Sequence, residues 1–150
     1  MNKAYLLALV FLSASFAGCM DDEENCDTLT DSTETVIDED QYYYVDFGVG
    51  VKSLQYTFER KDNEGHEIDV YLLTEINFQQ YENDNSFVYL VDFSEPATTK
   101  TNFEKDGNLD KDEKYVLVVD NSDRGDSYPP SDGVDNGVHF VTDYSIEKCS

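Results

Sequence analysis

The chain of 150 residues carries 33 acidic and 10 basic side chains, a formal charge of −23 at pH 7, with eleven Tyr, nine Phe and no Trp. Such an excess of acid works against binding nucleic acid and against adsorption on anionic lipid headgroups. It suits a cation, a salty medium or plain colloidal solubility, and the length suits one domain with an ordinary core.

Residues 1–18 read as a signal peptide. Lys3 is the only charge there, and AYLLALVFLSASF follows as a short apolar run before Ala17 and Gly18. A membrane-spanning helix needs about 20 apolar residues, which this run does not reach. Phe16-Ala17-Gly18-Cys19 resembles the lipobox of prokaryotic lipoproteins, which implies lipid on Cys19 and a location at the cell surface or the outer face of the cytoplasmic membrane. Phe16 departs from the Leu usual there. The competing cut, after Ala17, would release a soluble protein starting at Gly18. Three cysteines leave one unpaired in an exported chain. With lipid on Cys19, Cys26 and Cys149 remain as a pair, and an oxidising compartment favours their disulfide.

Residues 19–41 hold few large apolar side chains and read as an acidic tether, with Cys26 pinned to the domain and Thr35-Val36-Ile37 joining a sheet edge. From residue 42 the pattern turns to period two. Tyr43, Val45, Phe47, Val49 and Val51 align, then Leu54, Tyr56 and Phe58. Beyond the KDNEGHE turn come Ile68, Val70 and Leu72, then Phe87, Tyr89, Val91 and Phe93. KYVLVVD, residues 114–120, is apolar on both faces, and Val138, Phe140, Thr142 and Tyr144 close the series. The only helical signal lies around residues 74–82. Seven or eight strands between polar loops predict an all-β fold: one antiparallel β-sandwich, jelly-roll-like, over residues 42–150.

Two strands carry a family resemblance. Asp69-Val70-Tyr71-Leu72 and Tyr115-Val116-Leu117-Val118-Val119 resemble the paired strands of the pre-peptidase C-terminal domain and related jelly-roll modules of exported proteins. The resemblance spans roughly residues 42–146. It implies a non-catalytic sandwich that accompanies an exported enzyme, although no peptidase is present in this chain.

Residues 102–113, NFEKDGNLDKDE, offer Asp106, Asn108, Asp110 and Glu113 as oxygen ligands for calcium around Gly107. Asn102 where such a loop starts with Asp, and Pro96 and a strand where helices should flank it, argue against an EF-hand. What is left is a calcium loop of a sandwich, against the simpler acidic connection that so acidic a chain favours. Residues 120–137 form the longest loop, whose Asp120, Asp123, Asp126, Asp132 and Asp135 are the candidate partner-binding residues. Arg124-Gly125-Asp126 spells an adhesion tripeptide there by coincidence. His66 and His139 neighbour no cysteine and sit in no hydrolase motif. The expected function is therefore a lipid-anchored surface protein with a non-catalytic module for a protein, glycan or envelope component. A secreted accessory module and an unrecognised hydrolase are the alternatives.

Overall fold

A strand whose alternate residues are apolar buries one side and wets the other, and this pattern runs through several of the eight strands here. The computed structural model describes residues 24–62, 65–130, 132 and 134–150. The predicted signal segment and Cys19 lie outside this range. In chain order the elements are β1 (Cys26–Ile37), β2 (Gln41–Gly48), β3 (Val51–Arg60), β4 (Ile68–Thr74), α1 (Glu75–Glu82), a 3-10 turn (Val91–Phe93), β5 (Glu95–Thr98), β6 (Asn102–Asn108), β7 (Tyr115–Asn121) and β8 (Val138–Cys149).

Two antiparallel sheets result. Sheet A has the order β1-β8-β3-β6 and sheet B the order β2-β7-β4-β5. First pairs with last throughout: β1 with β8, β2 with β7, β3 with β6, β4 with β5. That is a two-stranded ribbon folded over into a jelly roll. Cys26 and Cys149, opposed at the ends of β1 and β8, form a disulfide with Cα atoms 4.1 Å apart.

Between the sheets lie Leu54, Tyr56 and Phe58 of β3, Val70 and Leu72 of β4, Leu117 and Val119 of β7, and Phe140 of β8, all buried. Each such Leu, Val or Phe contributes about 1.5–3 kcal/mol by leaving water. A second cluster covers the outer side of sheet B. Tyr71, Leu73, Val116 and Val118 pack there under Phe78 and Tyr81 of α1, with Phe87 and Tyr89 at the margin. This second layer is why β7 is apolar on both faces.

The structure departs from the expected boundaries at four places. Residues 26–37 are no tether but edge strand β1, paired with β8 along its whole length and locked at one end by the disulfide. YYYVDFGVGV does not continue as one strand. Gly48 and Gly50 adopt φ of 68° and 87°, and the chain arches there from sheet B to sheet A, leaving Val49 exposed. Residues 87–93 form no strand, because the segment wraps the margin of sheet B, with Phe87 and Tyr89 outside it and Phe93 in the main core. Residues 102–108, part of the 102–113 segment read as an acidic loop and a candidate calcium site, are edge strand β6, held by β3.

Candidate functional site

Antiparallel partners share a face, so the register of sheet A sets out its outer surface in rows. Thr28, Glu147, Ser53 and Asn108 form one row; Thr30, Ser145, Gln55 and Asp106 the next; Ser32, Asp143, Thr57 and Glu104 the third. None of these positions carries an apolar, aromatic or basic side chain. Two adjoining depressions of about 460 and 380 Å³ lie over the rows, the first lined by Thr30, Gln55, Thr57 and Ser145 among others, the second by Thr28, Ser53, Asp106 and Asn108 among others.

The hydroxyls and amides here are turned toward carboxylates. Ser32 Oγ and Thr57 Oγ1 both donate to Asp143, the latter at 3.4 Å. Gln55 Nε2 donates to Glu104 at 2.6 Å, and Ser53 Oγ to Glu147 at 3.4 Å. Carboxylates accept through several lone pairs, and these hydrogen bonds leave acceptor positions facing solvent. The face is thus an acceptor-rich surface suited to ligands that present hydroxyl, ammonium or guanidinium donors.

The four calcium candidates are divided between two settings. Asp106 and Asn108 stand on this face as strand residues, while Asp110 and Glu113 belong to the turn before β7. Asp110 Oδ1 accepts from the Asp112 amide at 3.0 Å. Among the described residues, the one group of three or more His, Cys, Asp or Glu side chains with ligand atoms mutually within 4.8 Å is Glu24, Cys26 and Cys149. Its two sulfurs are bonded to each other and are no thiolate ligands. Asp106, Asp110 and Glu113 do not converge.

The five candidate residues of 120–137 do not act together. Asp120 is the penultimate residue of β7 and is fully buried. Asp126 accepts from the Tyr71 hydroxyl at 3.1 Å, Asp132 from the Val134 amide and Asp135 from the Glu39 amide, both at 2.9 Å. The Asp132 bond forms a local turn, while the other two tie the segment to β4 and to the turn after β1. Asp123 faces one cavity with Asp40, Asp84 and Arg124, and Asp126 another with Phe87, Tyr89 and Arg124. The adhesion-like tripeptide is folded onto its own sheet. Arg124 lies over the Tyr42 and Tyr81 rings, and Gly125 presses against Asp69.

Asp69 and Asp120 form a buried pair on the outer side of sheet B, a juxtaposition the sequence does not show. Asp69 Oδ1 accepts from the Ala97 amide at 2.6 Å, and Oδ2 from the Ser127 amide and hydroxyl at 2.8 Å each. Asp120 Oδ1 accepts from the Ser122 amide and hydroxyl. Neither Asp120 Oδ2 nor the Tyr81 hydroxyl completes a hydrogen bond of normal geometry. Burial, with the Asp69 charge adding to it, pushes the Asp120 carboxyl up to about 6 against the hydrogen bonds from Ser122. Burial likewise raises the Tyr71 and Tyr81 hydroxyls well above their ordinary value. An acid at the end of an apolar run, before it at Asp69 and after it at Asp120, is the only signal in the sequence for either aspartate, and at a strand end it reads as a turn.

The histidines have structural partners. His66 Nε2 lies 3.1 Å from Asn121 Oδ1 and its Nδ1 3.3 Å from Arg60 Nη2, which suits a neutral ring protonated on Nε2. His139 Nε2 lies 2.9 Å from Glu34 on the exposed side of sheet A. No helix among the described residues is long and apolar enough to cross a membrane. No protein-family model and no curated protein matches the chain.

Proposed function

We propose that this chain is an exported protein, held at the membrane by lipid on Cys19, whose sandwich binds a protein, glycan or envelope component without catalysing a reaction. The reading places the partner on the outer face of sheet A. The observation that carries it is the pair of adjoining depressions over three aligned rows of hydroxyl, amide and carboxylate groups from β1, β8, β3 and β6. A solvated face of this width is otherwise a plain soluble surface, so occupancy is what distinguishes the two. On sheet B, α1 and residues 83–90 cover much of the outer side.

Carboxylate labelling with a carbodiimide and an amine reads occupancy directly. The mature protein is labelled in intact envelopes and again after detergent extraction. Slower labelling of Asp106, Asp143 and Glu147 in the envelope, with Glu75 and Glu82 of α1 unchanged, is the expected result. Equal labelling in both settings would remove the sheet A face as a binding surface.

A further inference from the structure

Cys26 follows Cys19 by seven residues, a connector that spans at most about 25 Å when fully extended. The connector is shortened further at its far end. Glu24 is already held on the fold by Lys111 and, at 3.5 Å, by Lys52. A lipid on Cys19 would therefore bring one end of the sandwich close to the bilayer, and that end has a definite composition.

The arch Gly48-Val49-Gly50 lies there. The Gly50 amide donates to the Lys111 carbonyl at 2.8 Å, and the Gly50 carbonyl accepts from the Cys149 amide at 2.8 Å, so the arch is fastened beside the disulfide. Lys148 Nζ donates to the Phe47 carbonyl at 3.2 Å. Val49 at the tip is 52% exposed, an apolar side chain set among Lys52, Lys111 and Lys148. We infer that this end docks on the lipid surface, with Val49 at headgroup level beside Lys52 and Lys111, which are paired with Glu24, and Lys148, which is bonded to the Phe47 carbonyl. The inference rests on the anchor reading of Cys19.

Acids share this end: Asp46, Asp110, Asp112 and Glu113, with Asp46 accepting from the Gly48 amide. They cancel the lysine charge, and one valine contributes little apolar area. Docking is accordingly weak by itself and depends on the short leash, which makes it an intramolecular step at high effective concentration. The consequence is orientation. β1 runs about 40 Å from Cys26 at roughly 3.3 Å per residue, so the end carrying residues 37–41, 121–130 and 134–138 points away from the membrane. The outer face of sheet A then stands sideways, open to a partner.

The test uses the full chain, exported and processed in a lipidating host, with its intact mass recorded first. Val49→Cys and Asn136→Cys variants each carry an environment-sensitive dye and are reconstituted in phosphatidylcholine vesicles with a minor fraction of phosphatidylglycerol and a headgroup-level nitroxide lipid. Asp112→Cys supplies a second position at the anchored end should Val49→Cys misfold. Quenching several-fold stronger at position 49 or 112 than at 136 is expected. Equal quenching on protein that carries lipid overturns the docking and leaves the anchor standing. A lipid-free mass overturns both.

Discussion

Asp69 on β4 and Asp120 on β7 stand directly opposite each other, both fully buried, on the outer side of sheet B. Asp69 is satisfied by three donors, from Ala97 and Ser127, whereas Asp120 leaves one oxygen without a partner. The two carboxyls share one cross-strand site, and burial together with the Asp69 charge raises the Asp120 carboxyl. Ala97 adopts φ of 43°, a left-handed conformation unusual for an L residue, with its amide aimed at Asp69.

This pair sets a pH dependence. The Asp120 carboxyl titrates near 6 in the fold against 3.8 ordinarily. A group raised in the folded state contributes its stability below the unfolded value and loses it as pH rises through the folded one. Stability should therefore fall between about pH 4 and 6, by up to about 3 kcal/mol at 1.36 kcal/mol per unit. Asp120→Asn should raise the melting temperature at pH 7 and flatten that segment of the profile, since its amide still accepts from Ser122 and also donates to Tyr81. Thermal melts of both proteins from pH 4 to about 8 check it.

Gly125 is required by proximity. A Cβ there would sit 2.2 Å from Asp69 Oδ2 and 2.7 Å from the Tyr71 hydroxyl, whereas one at Gly65 would meet nothing within 4 Å. Gly125→Ala should destabilise by about 1–3 kcal/mol. Gly65→Ala should change little. Urea titration of the two variants separates them.

The disulfide closes nearly the whole fold, with a sequence separation of 123. In the chain-entropy model a loop of that length is worth about 4–5 kcal/mol as an upper bound. The Cys26→Ser, Cys149→Ser double variant should unfold at lower denaturant by up to that amount. It should also lose amide-exchange protection first along β1, whose own side chains contribute little burial.

Calcium should leave stability unchanged beyond ionic strength. Asp106 lies on β6 while Asp110 and Glu113 lie in the following turn, and their carboxylates do not converge. Melting in calcium chloride should match melting in magnesium chloride of equal concentration. A rise specific to calcium would show that these residues rearrange around the ion.

The two-sheet fold was legible wherever inward positions are apolar, as in Leu54, Tyr56 and Phe58 of β3 or residues 115–119 of β7. It was illegible where inward positions are polar. On β1 those include Asp31, Thr33 and Thr35, and on β6 they include Lys105, paired with Glu95, and Gly107, which lies under Phe93. An edge strand borrows its order from its neighbour, so its own period is weak. Cys26 and Cys149 were legible as a pair because cysteine counting needs no geometry. The sheet A face was not, since Ser53, Gln55 and Thr57 read singly as solvated residues until β1, β8 and β6 bring Thr30, Ser145 and Asp106 beside them.

The anchor and the bridge together are tested most directly by one intact mass, taken without reductant on the mature protein extracted from membranes of its native or a closely matched host. The expected mass begins at Cys19, carries added lipid and lacks two hydrogens for the Cys26–Cys149 bond. A lipid-free mass beginning at Gly18 would contradict the anchored reading and make this a secreted sandwich.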